Sequence, residues 1–187
     1  DIGEYDYDYL VMATGSETNF FGQKEIEHFS MPMKTVPEAL NLRSLILQNL
    51  EEALMEKDPI KKEALMTFVA VGGGPTGVET AGALAELKNH VLVNDYPELD
   101  INKMKIYLIE SDERILSPFS LEASAKAKEF LEKMGVNVLV DTRVNHYDGE
   151  KITYNNDTQT IYTKSVIWSA GVKGALIPGL DKAELAR

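Results

Sequence analysis

Thr67-Phe68-Val69-Ala70-Val71 runs without a spacer into Gly72-Gly73-Gly74-Pro75-Thr76-Gly77, and no other stretch of this chain restricts its fold so strongly. The short apolar, β-branched run predicts a buried strand. Beyond the glycines, Val78, Ala81, Leu84 and Ala85 recur at helical spacing among small residues, which predicts a helix to about Leu87. A strand, a glycine turn and a helix in immediate succession form a cradle for a dinucleotide's phosphates. Gly72 permits the tight turn, Gly74 lets the backbone approach a pyrophosphate, and Gly77 lets the helix pack closely on the sheet. Pro75 costs no hydrogen bond in the first helical turn. The unpaired N–H groups around Thr76 and the positive end of the helix dipole then face the phosphates.

Lys105-Ile106-Tyr107-Leu108-Ile109-Glu110 predicts a second strand that ends in an acid. At that position Glu110 can accept from ribose hydroxyls and would repel a 2′-phosphate, so NAD is expected in preference to NADP. Arg114 lies near enough in sequence to oppose that preference. Glu110 follows Gly72 by 38 positions (110 − 72), well beyond the usual ~20. The excess is assigned to residues 88–103, read as a polar connection. Glu79, two residues past Gly77, has two readings from spacing alone. It stabilises the helix dipole, or it faces the nicotinamide end of the cofactor.

The remaining segments arrange themselves around this unit. Alternation over Tyr5 to Tyr9, followed by Leu10-Val11-Met12, predicts a strand ending in the turn Ala13-Thr14-Gly15. Residues 16–34 read as irregular connection, with Met31 and Met33 expected to pack. Thr35-Val36-Pro37-Glu38 has the form of a capping box, opening an amphipathic helix to about Lys57 that Asp58-Pro59 breaks. Ser120 to Met134 predicts another helix, with Ser120 as cap and Gly135 as stop. A third strand is expected at Val136 to Val140. Short strands near 144–148, 151–155 and 159–163 read as a β-meander, and Ser165 to Ser169 as a last strand ending in Ala170-Gly171.

Composition narrows the function classes. The chain has no cysteine, which removes disulfide scaffolds, thiolate metal sites and cysteine nucleophiles and makes an intracellular compartment the default. A formal net charge of −11 argues against nucleic-acid and anionic-lipid surfaces. Apolar runs such as Phe68 to Val71 are too short to span a bilayer. His28, His90 and His146 have no acidic or histidine partners at ligand spacing, so no metal site is expected. Trp168, in an apolar strand, reads as core, and no Ser–His–Asp arrangement suggests hydrolysis.

Taken together, these segments resemble type II NADH dehydrogenases of the pyridine nucleotide-disulfide oxidoreductase superfamily. The resemblance is carried by Tyr7 to Ser16 with Asn19-Phe20-Phe21-Gly22, by Pro32-Met33-Lys34 with Glu38-Ala39-Leu40 and Leu42-Arg43, by Val71 to Glu79, and by Val166 to Val172. It implies an α/β, Rossmann-like FAD/NAD(P)-binding fold: a parallel sheet with helices on one face and a β-meander on the other. It also implies hydride transfer from NADH to FAD and electron transfer to a quinone, in a full-length protein at the cytoplasmic face of the inner membrane. By resemblance, Gly72, Gly74, Pro75, Thr76 and Gly77 hold the NADH pyrophosphate and Glu110 the adenosine ribose. Glu79 is the catalytic candidate near the nicotinamide–flavin meeting point, Ala170 and Gly171 line the nicotinamide side, and Thr14 and Gly15 approach FAD.

Only one glycine fingerprint is present, whereas the family carries another for the ADP part of FAD. The expected organisation is therefore a connecting segment at 1–34, an NADH-binding domain at 35–175, and the start of a return to an FAD domain at 176–187. Such a fragment is expected to bind NADH weakly, to hold no FAD and to be inactive alone. The alternatives are the NAD(P)H domain of another FAD-dependent reductase or a non-catalytic NAD-binding module. A methyltransferase also uses a glycine turn and a strand-end acid, but it leaves the turns at Thr14-Gly15 and Ala170-Gly171 unexplained.

Overall fold

Residues 3–9, 11 and 13–175 are described by the computed structural model. In chain order the elements are β1 (Ser16–Thr18), α1 (Lys24–Phe29), β2 (Met31–Pro32), α2 (Val36–Met55), α3 (Pro59–Leu65), β3 (Thr67–Val71) and α4 (Pro75–Glu86). A π-helical stretch, Leu87–Leu92, joins α4 to α5 (Val93–Asp95). There follow β4 (Lys105–Ile109), α6 (Leu121–Lys133), β5 (Val136–Leu139), β6 (Val144–Tyr147), β7 (Lys151–Tyr154), β8 (Gln159–Tyr162), β9 (Ser165–Trp168) and β10 (Val172–Gly174).

Five strands form a parallel sheet in the order β2-β9-β3-β4-β5. Side chains alternate across a strand, so each face collects every second residue. Phe68, Ala70, Ile106, Leu108 and Ile167 pack toward the helices with Leu50, Ala81 and Leu131. Val69, Val71, Ile109, Val166 and Trp168 pack on the other face with Ile152, Tyr154 and Ile161 of the antiparallel meander β6-β7-β8. The predicted fold, helices on one face and a meander on the other, is the one observed.

The capping box of α2 is complete. The Thr35 hydroxyl accepts from the Glu38 N–H, and the Glu38 carboxylate accepts from the Thr35 and Lys34 N–H groups at 2.7 and 2.8 Å. Partial burial pushes the Glu38 carboxyl upward, but these donors outweigh it and leave its pKa below the ordinary value. At the end of α6, Gly135 has φ +90°, the left-handed stop expected of it.

Four expectations are corrected. No strand is present over residues 3–9, where Tyr5, Tyr7 and Tyr9 are exposed, and Leu10 and Met12 lie outside the described residues. Alternation signals a half-buried strand only where a sheet exists to receive it, and among the described residues this segment has none. The segment 16–34 is not merely irregular: it holds β1, α1 and β2, and β2 is the edge strand beside β9. Asp58-Pro59 breaks α2 but also starts α3, because Asp58 accepts from the Ile60 and Lys61 N–H groups and caps it. Residues 88–103 are mostly helical: α4 continues through the π stretch into α5, and a 3₁₀ turn covers Ile101–Lys103. Leu92, Leu99, Ile101 and Met104 are buried there, so the long spacing to Glu110 reflects an extended helix and a packed turn.

Candidate functional site

Strand β3 begins the sheet's outward progression in both directions. Its continuation through α4 leads to β4 and β5, while its other neighbour, β9, returns only after the meander. Ligands of open α/β sheets bind beyond the carboxyl ends of the strands at such a switch point. The glycine turn ends β3 there, and Ser169-Ala170-Gly171 ends β9 beside it.

The two turns are packed backbone to backbone. A Cβ on Gly72, whose φ is +110°, would fall 2.7 Å from Ala170 Cα and N. The Ser169 N–H and hydroxyl both donate to the Val71 carbonyl, at 2.8 and 2.9 Å. A Cβ on Gly77 would fall 1.8 Å from the Gly72 carbonyl oxygen, so α4 rests directly on the turn. By contrast, Gly74 has nothing within 4 Å of its Cβ position, and the space before the helix is open. Gly72 and Gly77 therefore serve the protein's own packing, and Gly74 leaves room for a ligand. The first intrahelical bond in this turn runs from the Val78 N–H to Gly74, which leaves the Thr76 and Gly77 N–H groups free of helical partners. Pro75 occupies N1, where it needs no donor.

Two clefts flank the joined turns. One, of about 270 Å³, is lined by Gly72, Glu110, Ser111, Arg143, Trp168 and Ala170 among others. The other, of about 340 Å³, is lined by Met33, Lys34, Thr35, Thr76, Ser169 and Gly171 among others. Six of the predicted site residues thus meet in one region: Gly72, Thr76, Gly77, Glu110, Ala170 and Gly171. The Glu110 carboxylate accepts from the Gly73 N–H, the Ser111 hydroxyl and the Asp112 N–H.

Other predicted residues stand apart. Glu79 is exposed on α4, lines neither cleft, and makes no hydrogen bond or ion pair among the described residues. The Thr14 hydroxyl donates to the Ala175 carbonyl at 2.8 Å, and the Gly15 carbonyl accepts from the Ala175 N–H. Both lie at the far end of the two-stranded ribbon β1–β10, where Thr18 opposite Val172 is the end next to Gly171. The structure does not bring them to the glycine turn. Arg114 is directed at the Leu116, Ser117 and Phe119 carbonyls and does not line the cleft beside Glu110.

Some residues were not singled out from sequence. Arg143 lines the Glu110 cleft because β5 and the turn after it bring it there, a tertiary placement with no local signature. Ser169 stitches the two turns together, and its only signal was its place before Ala170-Gly171. His146, expected to lack acidic partners, lies 3.8 Å from Glu25 and 3.9 Å from Asp157, which come from α1 and the β7–β8 turn. These three side chains are exposed, and no cluster able to hold a metal ion occurs among the described residues. Trp168 is core as expected, with its Nε1–H donating to the Asn19 carbonyl at 2.9 Å.

The profile of the pyridine nucleotide-disulphide oxidoreductase family matches residues 1–186. The chain belongs to that family. Among family members, it is 35% identical over 184 residues to a type II NADH:quinone oxidoreductase, Ndh, of Mycobacterium tuberculosis, a match covering 97% of this chain and 40% of that protein. It is 33% identical to an external alternative NAD(P)H-ubiquinone oxidoreductase of Arabidopsis thaliana mitochondria, with 90% and 30% covered. The structure of NDH2 from Plasmodium falciparum in complex with NADH superposes with a TM-score of 0.83 at 26% identity, over 90% of this chain and 35% of that one. The chain therefore spans 40% or less of the length of these relatives.

Proposed function

We propose that this chain is the NADH-binding part of a flavin-dependent NADH:quinone oxidoreductase, in which a hydride passes from NADH to FAD and electrons then pass to a quinone. The observation that carries the reading is the packing of Gly72 against Ala170 at the carboxyl ends of β3 and β9, with one cleft on each side. It supports a ligand lying across the switch point with its pyrophosphate at Gly74, Thr76 and Gly77. Gly74's open Cβ position fits a phosphate at that point. Glu110 and Ser111 would take the adenosine ribose. Ala170, Gly171 and the cleft of Met33 and Lys34 would take the nicotinamide side.

FAD, when bound by the flavin domain, would supply the acceptor for the hydride of NADH. The chain's own task is to orient and to exclude water. The apolar parts of Met33, Trp168 and Val172 line the second cleft, which limits water beside the transferring ring. Glu79, which has no partner among the described residues, is assigned to the nicotinamide–flavin meeting point, and Thr14 and Gly15, tied to Ala175, to the flavin side. Residues 35–175 form the NADH-binding domain in this reading, with β2 added at its edge, and 1–34 and 176–187 connect it to that domain. The last of these segments lies outside the described residues. The whole protein is placed at the cytoplasmic face of the inner membrane, by regions other than these. No helix among the described residues is long and apolar enough to cross a membrane.

Calorimetric titration of the chain with NADH, NADPH and S-adenosylmethionine tests the reading. NADH binding tightest is the expected result, and S-adenosylmethionine binding without NADH binding overturns it. A purified chain that carries flavin absorbance would overturn the assignment of FAD to regions beyond this one.

A further inference from the structure

Gly73 is the one glycine of the turn that the phosphate-binding pattern does not require. Its backbone lies outside the left-handed region, so no dihedral need reserves the position for glycine. What reserves it is Glu110. A Cβ on Gly73 would fall 2.8 Å from Glu110 Oε2 and 2.9 Å from both Cβ and Cγ of that side chain. The Gly73 N–H donates to Glu110 Oε2. The other carboxylate oxygen, Oε1, accepts from the Ser111 hydroxyl at 3.0 Å and the Asp112 N–H at 2.9 Å.

The Gly73 carbonyl is also tied down, accepting from the Leu116 N–H at 2.7 Å. Both peptide groups of Gly73 are therefore fixed to the loop 110–119. That loop is itself braced: Arg114 donates to the Leu116, Ser117 and Phe119 carbonyls, and the Ser124 hydroxyl donates to Ile115 at 2.6 Å. The strand-end acid is thus bonded to the phosphate turn before any ribose arrives.

We infer that Glu110 is a positioning residue for the pyrophosphate turn, acting through the Gly73 N–H, in addition to accepting from the adenosine ribose. The second role rests on the proposed NADH reading, whereas the first does not. Holding the Gly73 N–H turns it away from the phosphates and leaves the Thr76 and Gly77 donors to serve them. A carboxylate offers about four acceptor sites, and three are used, so one remains for a ribose hydroxyl. The two roles are compatible and separable.

The separation is made with an NADH analogue whose adenosine ribose is 2′,3′-dideoxy, so that it offers no hydroxyl to Glu110. If Glu110 served the ribose alone, Glu110→Ala would leave affinity for this analogue unchanged. Positioning predicts a loss on the order of tenfold for it, a free-energy difference that one charge-assisted bond supplies. Gly73→Ala, which keeps the acid but displaces it, is expected to give a similar loss, and Glu110→Gln, which keeps an acceptor, to recover most of it. Amide hydrogen exchange of Gly73 in the unliganded chain supplies a second readout. Slow exchange in the wild type and Glu110→Gln, with fast exchange in Glu110→Ala, is the expected pattern. Unchanged Gly73 exchange in Glu110→Ala, or undiminished binding of the 2′,3′-dideoxy analogue by the folded variants, overturns the inference. If the wild-type chain binds neither nucleotide while Gly73 exchange still responds to Glu110, the positioning contact stands and the NADH reading fails.

Discussion

Gly77 and Gly72 are in contact across the turn so closely that a side chain on the first would overlap the carbonyl oxygen of the second, at 1.8 Å. The clash partner is backbone, which cannot swing away as a flexible side chain can. The same Cβ would also fall 2.9 Å from the Ser169 hydroxyl oxygen, so α4, β3 and β9 meet at this single point.

Gly77→Ala should therefore cost stability at the upper end of the overpacking range, roughly 3 kcal/mol. Gly74→Ala faces open space and should leave stability within about 0.5 kcal/mol of wild type. It should nonetheless lower NADH affinity by about tenfold or more, because its Cβ would enter the open space proposed for the phosphate. Urea denaturation and NADH titration of both variants check the contrast. Equal destabilisation of the two would refute it.

Arg114 and Arg143 should differ in their effect on cofactor preference. Arg114 spends its donors on three loop carbonyls, whereas Arg143 lines the cleft beside Glu110. Arg114→Ala is expected to cost about 1–2 kcal/mol of stability while leaving the NADH-to-NADPH affinity ratio unchanged. Arg143→Ala should raise that ratio, since it removes a cation from the lining of the cleft that would receive a 2′-phosphate. Both ratios come from paired titrations.

Asn49 is buried on α2, and its Nδ2 donates to the Ser165 hydroxyl at 2.7 Å at the start of β9. Asn49→Ala would leave that hydroxyl without its donor and open a small void. A loss of about 1–3 kcal/mol is expected by chemical denaturation. Asn49→Ala with Ser165→Ala should lose less than the sum of the single changes, because the pair is then removed together.

Alkaline pH should weaken the meander's packing through Tyr147. Burial, and to a smaller degree the charge of Asp148, pushes its phenol well above the ordinary value near 10. A folded pKa above the unfolded one means that the stabilising contribution is complete below pH ~10. It is then lost as pH rises from the unfolded toward the folded pKa. Denaturation midpoints measured from pH 8 to about pH 11 should fall above ~10, and Tyr147→Phe should flatten that limb. An equal fall in the variant would remove Tyr147 as the cause.

Much of this fold was legible because local and tertiary demands coincide. The strand at Thr67–Val71, the Thr35 capping box and the Ser120 cap are each encoded by adjacent residues, and each forms where it was expected. Residues 87–95 were not legible, because a π-helical stretch shifts the apolar period and makes a continuing helix look like polar connection. The expected strand is absent over residues 5–9 for the opposite reason: its alternation is real, but among the described residues it has no sheet to join. At the site, the glycines and Glu110 were readable from spacing. The contact between Glu110 and Gly73 was not, because it depends on how the loop after β4 folds back over the turn.

The ribbon of β1 and β10 brings the chain's path into the sheet domain alongside its path out. Ser16 lies opposite Gly174 and Thr18 opposite Val172, with Lys173 and Glu17 bridged at 3.2 Å. A unit whose entrance and exit are neighbours needs only one opening in whatever carries it. Such a unit should tolerate grafting into a surface loop of an unrelated protein, because both junctions start from neighbouring points. In mechanical terms the ribbon is a paired stalk: it bends as one strip, and a pull on its two ends loads the strand-to-strand bonds before it reaches the sheet.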